Sequence, residues 1–342
     1  MSAPPTVSVV IPAYNAAHCV ARAIHSVQAQ TLQSFEIVVV DDASQDETRA
    51  VVRRLAAADG RIRLLELERN GGPSAARNAG LAAATGTWTA LLDADDAFRP
   101  ERLATLCTLA TQHDLDAIGD DIVLFDDVAG MEVGEGGYVR ASGVHRISLA
   151  EYLRTTTYRV GMAEALWRED RPISLLKLVM RTAFLRSTGL TYSARYRYCE
   201  DFLFYYDLLR CGARLGLLDR AMYLYTEPLG SISRRNSPHS RTVADRQSVI
   251  DAVDELLERD SALAPVERRL LLQRRRSTGM AMRYSAFRRE TAHCGKAELI
   301  TRVLREPALW CRFARELRHG LASRVRHNRL YRRKSAEVPA RA

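Results

Sequence analysis

The chain has 342 residues and is 47% hydrophobic, which excludes a disordered protein and is enough for one large or two ordinary domains. No apolar run is long enough to span a membrane, and residues 1–5 lack signal-peptide features. The six cysteines are scattered without a Cys-x-x-Cys pair, which argues against a zinc site or a disulfide framework and favours the reducing cytoplasm. The net charge of +9 arises after residue 240, where 24 Lys and Arg face 12 Asp and Glu, so this third is expected to face an anionic partner.

Apolar runs alternate with helical segments through the first hundred residues. Residues 7–11, 35–40 and 88–92 predict buried strands, and residues 61–67 alternate as a further strand does. Helices are predicted up to about Gln28, from Asp46 to about residue 57, and over 74–84. This alternation predicts a parallel sheet with right-handed crossovers. Since ligands bind beyond the carboxyl ends of such strands, the polar loops 12–15, 41–46 and 93–96 should converge on one site.

The chain is less regular between residues 100 and 240. The sequence predicts a helix over about 102–112, strands at 117–118 and 122–125, and a Gly-rich surface excursion over 130–143. Glu200 and Asp201 open a buried helix, and residues 215–218 and 222–225 predict two strands. Apolar stripes predict helices from 242 onward. We therefore divide the chain into a domain at 1–240, with halves at about 1–100 and 101–240, and a basic helical region at 241–342.

Three carboxylates follow the strand predicted at 88–92, at Asp93, Asp95 and Asp96. Clustered carboxylates repel one another unless a cation lies among them. Mg²⁺ or Mn²⁺ takes oxygen ligands and leaves positions open for phosphate oxygens. Asp93 and Asp95 are therefore candidates for holding a metal–diphosphate. The alternative is an acidic loop in which one aspartate caps the helix that begins near Pro100.

Five sequence motifs follow one another in a fixed order. They are residues 7–15 (Val-Ser-Val-Val-Ile-Pro-Ala-Tyr-Asn), 40–46 (Val-Asp-Asp-Ala-Ser-x-Asp), 70–80 (Asn-x-Gly, then Ala-Arg-Asn-x-Gly), 92–96 (Leu-Asp-Ala-Asp-Asp) and the Glu-Asp pair at 200–201. In this order and spacing they resemble the family 2 glycosyltransferases. The resemblance covers residues 7 to about 235. It implies the GT-A fold, an α/β architecture with a mostly parallel sheet flanked by helices, here followed by a basic helical C-terminal extension.

The resemblance implies a nucleotide site in the loops after the first two strands. The base and ribose would lie against Pro12, Tyr14, Asn15, Asp41 and Asp42. An aspartate beside a uracil can accept its imide hydrogen, which favours a UDP-sugar as the donor. The alternative is that Asp41 and Asp42 merely cap the next helix.

The resemblance also implies the reacting groups. Asp93 would hold ribose and, with Asp95, the metal, while Arg77 would reach the carboxylates or the diphosphate through its forked donors. Asp201 would be the catalytic base and Glu200 its neighbour, at a helix start that stabilises an ionised carboxylate. The alternatives are a surface salt bridge at Arg77 and an ordinary helix start at the Glu-Asp pair.

Two further features bear on the type of transfer. The loop over 231–235 would close over the diphosphate through Arg234, although its match to the family is loose. The Gln-x-x-Arg-Trp motif of the family's processive synthases is absent, and the three tryptophans lie in other contexts. We therefore expect an enzyme that adds a single sugar and does not extrude a polymer.

These features together predict an inverting enzyme that moves one sugar from a nucleotide-sugar to a saccharide hydroxyl. Within the family the chain resembles bacterial exopolysaccharide enzymes whose acceptor is carried on a polyprenyl diphosphate. One alternative is a sugar-1-phosphate nucleotidyltransferase, whose Gly-rich signature is missing. Another is a nucleotide- or nucleic-acid-binding protein with a basic tail, although the tail has few aromatic residues for stacking and we expect no nucleic acid. A Rossmann dehydrogenase is disfavoured because no Gly-x-Gly-x-x-Gly follows the first strand.

The end of the chain predicts a basic amphipathic helix. Nine Lys and Arg residues lie in this segment. Beside them, apolar residues recur at spacings of three and four, at Trp310, Phe313, Leu317, Leu321 and Val325. Such a helix can lie on an anionic membrane surface, which would place the protein in the cytoplasm at the inner face of the membrane. The alternative is that the apolar stripe docks on the protein's own core.

Overall fold

The computed structural model describes residues 4–126, 130–135, 143–156, 173–196, 198–226, 243–291, 293–307 and 310. Their strands are β1 (Val7–Ala13), β2 (Phe35–Asp41), β3 (Ile62–Glu66), β4 (Trp88–Leu91), β5 (Ala97–Phe98), β6 (Ala117–Asp126), β7 (Met131–Glu135), β8 (Val144–Ile147), β9 (Val179–Arg181) and β10 (Leu215–Thr226). Their helices are α1 (Val20–Gln28), α2 (Thr48–Ala58), α3 (Gly72–Ala83), α4 (Arg102–Gln112), α5 (Leu149–Thr156), α6 (Thr182–Thr188), α7 (Glu200–Arg210), α8 (Val243–Arg259), α9 (Pro265–Glu290) and α10 (Lys296–Leu304), with a 3-10 turn at Ile173–Leu175.

One sheet organises the fold, in the order β3-β2-β1-β4-β9-β6-β10-β5, with β7 beside β6 and β8 beside β10. Strands β3, β2, β1 and β4 are parallel, as the strand–helix alternation predicts. The second half is mixed, because β9, β5, β7 and β8 pair antiparallel while β6 and β10 remain parallel. Buried parallel strands explain why the first half reads as continuous apolar runs.

The loops that follow β1, β2 and β4 meet at one edge of the sheet. The backbone N–H of Asn15 donates to Ser44 Oγ at 3.0 Å, and that of Gln45 donates to Asn15 Oδ1 at 2.8 Å. The backbone N–H of Leu92 donates to the carbonyl of Val10 at 3.0 Å. This bond brings the loop at 93–96, here called the acidic loop, next to the end of β1. The predicted convergence of the three polar loops is therefore confirmed.

Close packing joins the helices to this sheet. Helix α3 approaches β1 so closely that a Cβ at Gly80 would lie 2.2 Å from Val10 Cγ1. Helices α8 and α9 contribute Val253, Leu256 and Leu271 to the same hydrophobic core as the sheet. The described part of the basic region thus packs on the domain before it. The boundary at residue 240 remains a prediction.

Two segments differ from the sequence-based prediction or lie beyond what the structure describes. The two strands predicted at 215–218 and 222–225 are wrong, because β10 is one continuous strand along β6. Register shifts at Ala221 let the ladder continue past the exposed Asp219 and Arg220, whose polarity reads as a break. The loop at 231–235 with Arg234, and the arginine-dense segment after 310, lie outside the described residues. Among the helices that are described, none is both long and apolar enough to cross a membrane.

Candidate active site

A buried guanidinium gathers three carboxylates at the convergent edge of the sheet. Arg77, in the second turn of α3, donates from Nη2 to Asp93 Oδ1 at 3.0 Å and from Nη1 to Glu200 Oε1 at 3.1 Å. Its Nη1 also lies 3.5 Å from Asp201 Oδ1. The acidic loop and the start of α7 therefore meet across residues more than a hundred positions apart in sequence.

A second cation, Lys177, completes this ion network. Its Nζ lies 2.9 Å from Asp201 Oδ2 and 3.1 Å from Asp93 Oδ2, and its side chain is 5% exposed. Each of these two aspartates thus contacts both cations, whereas Glu200 contacts only Arg77 among the described residues. We call Arg77, Lys177, Asp93, Glu200 and Asp201 the central ion network.

Neighbouring residues hold Arg77 in place. Asn78 makes two hydrogen bonds with the backbone of Tyr192, accepting from its N–H at 2.7 Å and donating to its carbonyl at 2.8 Å. The Tyr192 ring stacks on Phe204 at a centroid distance of 4.1 Å and lies 5.2 Å from the guanidinium carbon of Arg77. The position of the guanidinium is therefore set by α3 and α7 together.

Burial and opposite charge act against each other on these groups. Burial alone would raise the pKa of Asp93, but the positive charges of Lys177 and Arg77 outweigh it and hold that pKa well below its usual value. Burial would lower the pKa of Lys177, yet Asp201 and Asp93 keep it above the ordinary lysine value. Burial and the charge of Asp201 raise the pKa of Glu200 against the effect of Arg77. Asp93 is thus held ionised, whereas Glu200 is protonated more readily than an ordinary glutamate.

The other two acids of the acidic loop have separate environments. Asp96 accepts hydrogen bonds from Tyr223 Oη at 2.6 Å and from the Thr226 backbone N–H at 2.8 Å, so it ties the loop to β10. Asp95 receives no hydrogen bond to its carboxylate from any side chain that the structure describes, while Arg22 donates to its backbone carbonyl. Burial and the charge of Asp93 raise the pKa of Asp95 to about 6.

This environment fits a cation beside Asp95. A divalent ion would relieve the repulsion that raises the pKa of Asp95, and its carboxylate is free of side-chain donors among the described residues. Asp93 fits less simply, because Arg77 and Lys177 already contact its oxygens. Within the described residues no group of three or more His, Cys, Asp and Glu side chains could hold a metal by itself. Phosphate oxygens of a substrate can supply further ligands, as they commonly do for Mg²⁺.

The nucleotide site is predicted in the loops after β1 and β2. Asp41 is fully buried, and its Oδ2 accepts from Arg49 Nε at 2.6 Å while its Oδ1 has no hydrogen-bond partner among the described residues. Asp42 instead accepts the backbone N–H groups of Gly71 and Gly72, each at 2.8 Å. Asp42 therefore holds the turn before α3, which leaves Asp41 as the aspartate with a free acceptor.

The rest of this site is partly exposed. Pro12 is the second-last residue of β1, and Tyr14 beyond it is 46% exposed. Asn15 has a left-handed φ of 49° and Ala43 one of 58°, conformations that are strained for residues other than glycine and that cluster at functional sites. These residues line the predicted base site, and their roles there stay predictions.

The base candidate sits at a strained helix start. Cys199, which precedes α7, has a left-handed φ of 70°, so the chain turns sharply before Glu200 and Asp201 enter the first helical turn. Asp46 bonds locally at the start of α2, where its Oδ1 accepts the backbone N–H of Thr48 at 3.0 Å, although the N-cap residue itself is Glu47. Asp201 instead directs its carboxylate to Lys177 and Arg77.

Sequence reasoning missed Lys177. The segment 173–180 reads as an apolar run, and Lys177 is its only charged residue. A lone charge inside a buried run needs a partner of opposite charge, which is a usable signal. It also missed the fully buried pair of Arg102 and Asp120, whose nitrogen and oxygen lie 2.8 Å apart behind the network.

Comparison with known proteins agrees with this architecture. The family model described as glycosyl transferase family 2 matches residues 8–159. The succinoglycan biosynthesis proteins ExoO and ExoU of Rhizobium meliloti (strain 1021) are 37% identical over 231 residues and 35% identical over 223 residues, which cover 67% and 65% of this chain. The chain spans 63% and 62% of those two proteins.

Solved structures share the fold at low sequence identity. S. aureus TarS 1-349 in complex with UDP-GlcNAc has a TM-score of 0.62 and 22% identity, covering 87% of this chain and 79% of that one. The mannosyltransferase PcManGT from Pyrobaculum calidifontis, in complex with GDP-Man and Mn²⁺, has a TM-score of 0.55 and 17% identity, covering 90% and 81%. Residues 8–159 therefore form a glycosyl transferase family 2 domain, and the chain has the GT-A fold.

Proposed function

We propose that the chain transfers one sugar from a nucleotide-sugar to a hydroxyl group of a saccharide acceptor, with inversion at the anomeric carbon. One observation carries this proposal. In the central ion network, Arg77 and Lys177 each contact both Asp93 and Asp201. Asp93 lies in the loop where family 2 enzymes hold the donor, and Asp201 is the base candidate. A transferase needs its donor site and its base at this kind of separation, because the acceptor oxygen must lie between them.

The proposed reaction is a single displacement. The acceptor oxygen forms a bond to the anomeric carbon as the bond from that carbon to the diphosphate oxygen breaks. Asp201 takes the proton of the acceptor hydroxyl, and the nucleoside diphosphate leaves with the bonding electrons. An α-linked donor would therefore give a β-linked product. Glu200 lies beside the base and is bound to Arg77 at 3.1 Å.

A UDP-sugar is the proposed donor. The free Oδ1 of Asp41 is a buried acceptor, as recognition of the uracil imide hydrogen requires. Pro12, Tyr14 and Asn15 would flank the base and ribose. The TarS structure holds UDP-GlcNAc, which supports a uridine nucleotide, whereas the PcManGT structure holds GDP-Man, so a test of the donor includes both uridine and guanosine nucleotides.

Mg²⁺ or Mn²⁺ is the proposed metal, held by Asp95 with Asp93 beside it. When bound, such an ion would neutralise charge that develops on the departing diphosphate. The chain's own contribution is a carboxylate at Asp95 that no described side chain occupies, and an Asp93 kept ionised by Arg77 and Lys177. Arg234, which the family resemblance assigns to the diphosphate, lies outside the described residues.

The proposed acceptor is a lipid-linked saccharide in bacterial exopolysaccharide assembly. The ExoO and ExoU proteins, which are named for succinoglycan biosynthesis, support the pathway class. A polyprenyl diphosphate acceptor would place the protein on the inner face of the membrane, where the basic C-terminal region could meet anionic lipid. We expect salt-sensitive co-sedimentation with anionic liposomes. Equal binding by a chain truncated after Leu309 would contradict a role for the tail.

A donor panel tests the proposed function. Purified full-length protein is incubated with UDP-, GDP- and dTDP-sugars and Mn²⁺, and release of the nucleoside diphosphate is measured with and without short saccharide acceptors. We expect release from one UDP-sugar, stimulated by acceptor and lost with a chelator. Sugar-1-phosphate plus nucleoside triphosphate is run as the control substrate pair. Turnover of that pair, or of no nucleotide-sugar, would overturn the proposal.

A further inference from the structure

Lys177 occupies an unusual position for a lysine. It follows the turn at Ile173–Leu175 and precedes β9, and the other side chains of residues 175–180 are apolar. Burying an ammonium group costs several kcal/mol unless charged partners compensate. Here the partners are Asp201 Oδ2 at 2.9 Å and Asp93 Oδ2 at 3.1 Å. A leucine would avoid this cost but would leave Asp93 and Asp201 without one of their two cations, so the choice of a lysine at this position calls for an explanation.

The backbone around Lys177 is held from several directions. The carbonyl of Leu176 accepts a hydrogen bond from Tyr205 Oη at 2.5 Å, and the carbonyl of Lys177 accepts one from Arg102 Nη2 at 2.6 Å. Tyr205 lies one turn after Asp201 on α7, while Arg102 lies on α4 and pairs with Asp120. The same helix thus carries the base candidate and fixes the segment that presents the amine. This arrangement limits the mobility that a lysine side chain ordinarily has.

Charge balance accounts for a second cation here, because Arg77 alone faces three acids, but it does not account for which oxygens Lys177 contacts. Arg77 already lies within 3.5 Å of an oxygen of each of the three acids, Asp93, Glu200 and Asp201. What Lys177 adds is selective, because it contacts one oxygen of Asp201 and leaves the other. Asp201 Oδ1 is buried and accepts no hydrogen bond from the described residues. Arg77 Nη1 lies 3.5 Å from this oxygen without donating a hydrogen bond to it, so a hydroxyl group would supply the hydrogen bond that Oδ1 lacks.

We propose that Lys177 is a positioning residue for the transfer, an inference that rests on the proposed function. By holding Oδ2, it fixes the rotation of the Asp201 carboxylate and leaves Oδ1 to accept the proton of the acceptor hydroxyl. The Lys177 nitrogen contacts one oxygen of each aspartate. Laid end to end, the two contacts span about 6 Å, so these two oxygens can be no farther apart than that. Lys177 thereby sets the spacing between the base and the donor loop.

A merely structural role makes a different prediction. If Lys177 only balances charge, an arginine at this position should serve as well. If it acts by geometry, an arginine should fail, because a guanidinium spreads its contacts over separate nitrogens and cannot meet both oxygens through one atom. Displacement of a reacting group by about 1 Å can cost on the order of a hundredfold in rate.

The experiment measures turnover at saturating donor and acceptor for wild type, Lys177→Arg, Lys177→Met, Asp201→Asn and the Lys177→Met/Asp201→Asn double variant. Saturation removes changes in donor affinity that act through Asp93. We expect Lys177→Met to lower turnover about 10- to 100-fold in the wild-type background but less than about threefold beside Asp201→Asn, because a group that acts through Asp201 has no further effect without it. Lys177→Arg should melt close to wild type and still lose at least about tenfold.

Several outcomes would overturn the inference. One is that Lys177→Met lowers turnover by the same factor in the wild-type and Asp201→Asn backgrounds. Another is that the turnover of Lys177→Arg stays within about twofold of wild type. If Lys177→Met does not fold, the folding of the Lys177→Met/Asp201→Asn double variant is compared with that of Asp201→Asn. The turnover of Lys177→Arg then decides whether the inference holds. If the wild type is active and the Lys177 variants have the same turnover, only this inference is wrong. Wild type that is inert toward every nucleotide-sugar removes the proposed function and this inference with it.

Discussion

The pair of Arg102 and Asp120 offers a sharp test of how the fold supports the site. Both side chains are fully buried, with Arg102 Nη2 2.8 Å and Nε 3.0 Å from Asp120 Oδ1. Asp120 Oδ2 also accepts the backbone N–H of Met222 at 3.1 Å. The guanidinium carbon lies 4.3 Å from the Phe98 ring centroid. The perturbation is Arg102→Met, which keeps an unbranched apolar stem of similar length.

The expected cost follows from what is left behind. Arg102→Met leaves the Asp120 carboxylate buried without its counter-charge and leaves the Lys177 carbonyl without its donor. Removing one partner of a buried ion pair costs about 3–5 kcal/mol. Burial already raises the pKa of Asp120 against the effect of Arg102, so protonation of Asp120 would limit the loss. We expect a fall of about 3–5 kcal/mol in the free energy of unfolding, and of order 10 °C in melting temperature.

Denaturant titration followed by circular dichroism measures this effect. The matched control is Arg220→Met, because Arg220 pairs with Glu101 at the same 2.8 Å distance but is 55% exposed. Exposed pairs contribute about 0–1 kcal/mol. The double variant Arg102→Met/Asp120→Asn removes the buried charge and should recover part of the loss. The reasoning is refuted if Arg102→Met loses no more stability than Arg220→Met.

Three further predictions concern the site and the helix behind it. Asp201→Asn removes the proton acceptor but keeps its shape, so turnover should fall about 10²- to 10⁴-fold while UDP binding by calorimetry survives; near-wild-type turnover would move the base elsewhere. Asp95→Asn should weaken Mn²⁺-dependent UDP binding at least about tenfold, and unchanged affinity would relocate the metal. Gly80→Ala should destabilise the protein by about 1–3 kcal/mol in thermal melts because the new Cβ meets Val10, whereas Gly60→Ala, with open space around it, should not. Equal melting temperatures for the two variants would contradict the packing argument.

The sequence by itself determined the first half of the sheet and the location of the site. The runs at 7–11, 35–40 and 88–92 each became a buried strand, since a strand covered on both faces reads as continuous apolar residues. The polar loops after them had to meet, because parallel strands end at the same edge. Arg77, which the motif at 76–80 singles out, donates hydrogen bonds to Asp93 and Glu200, and its role in the transfer stays a prediction.

Only the tertiary structure decided how the charged groups share their partners. Lys177 meets Asp93 and Asp201 across 84 and 24 positions, and no local pattern encodes such a pairing. The acids of one short motif diverge for the same reason, since Asp93 faces two cations while Asp96 is bound to β10. Likewise Asp42 turns to the backbone of Gly71 while its neighbour Asp41 keeps a free oxygen. Periodicity specifies which face of an element is buried, but which charges meet inside depends on strand order and on the cost of leaving any one of them unpaired.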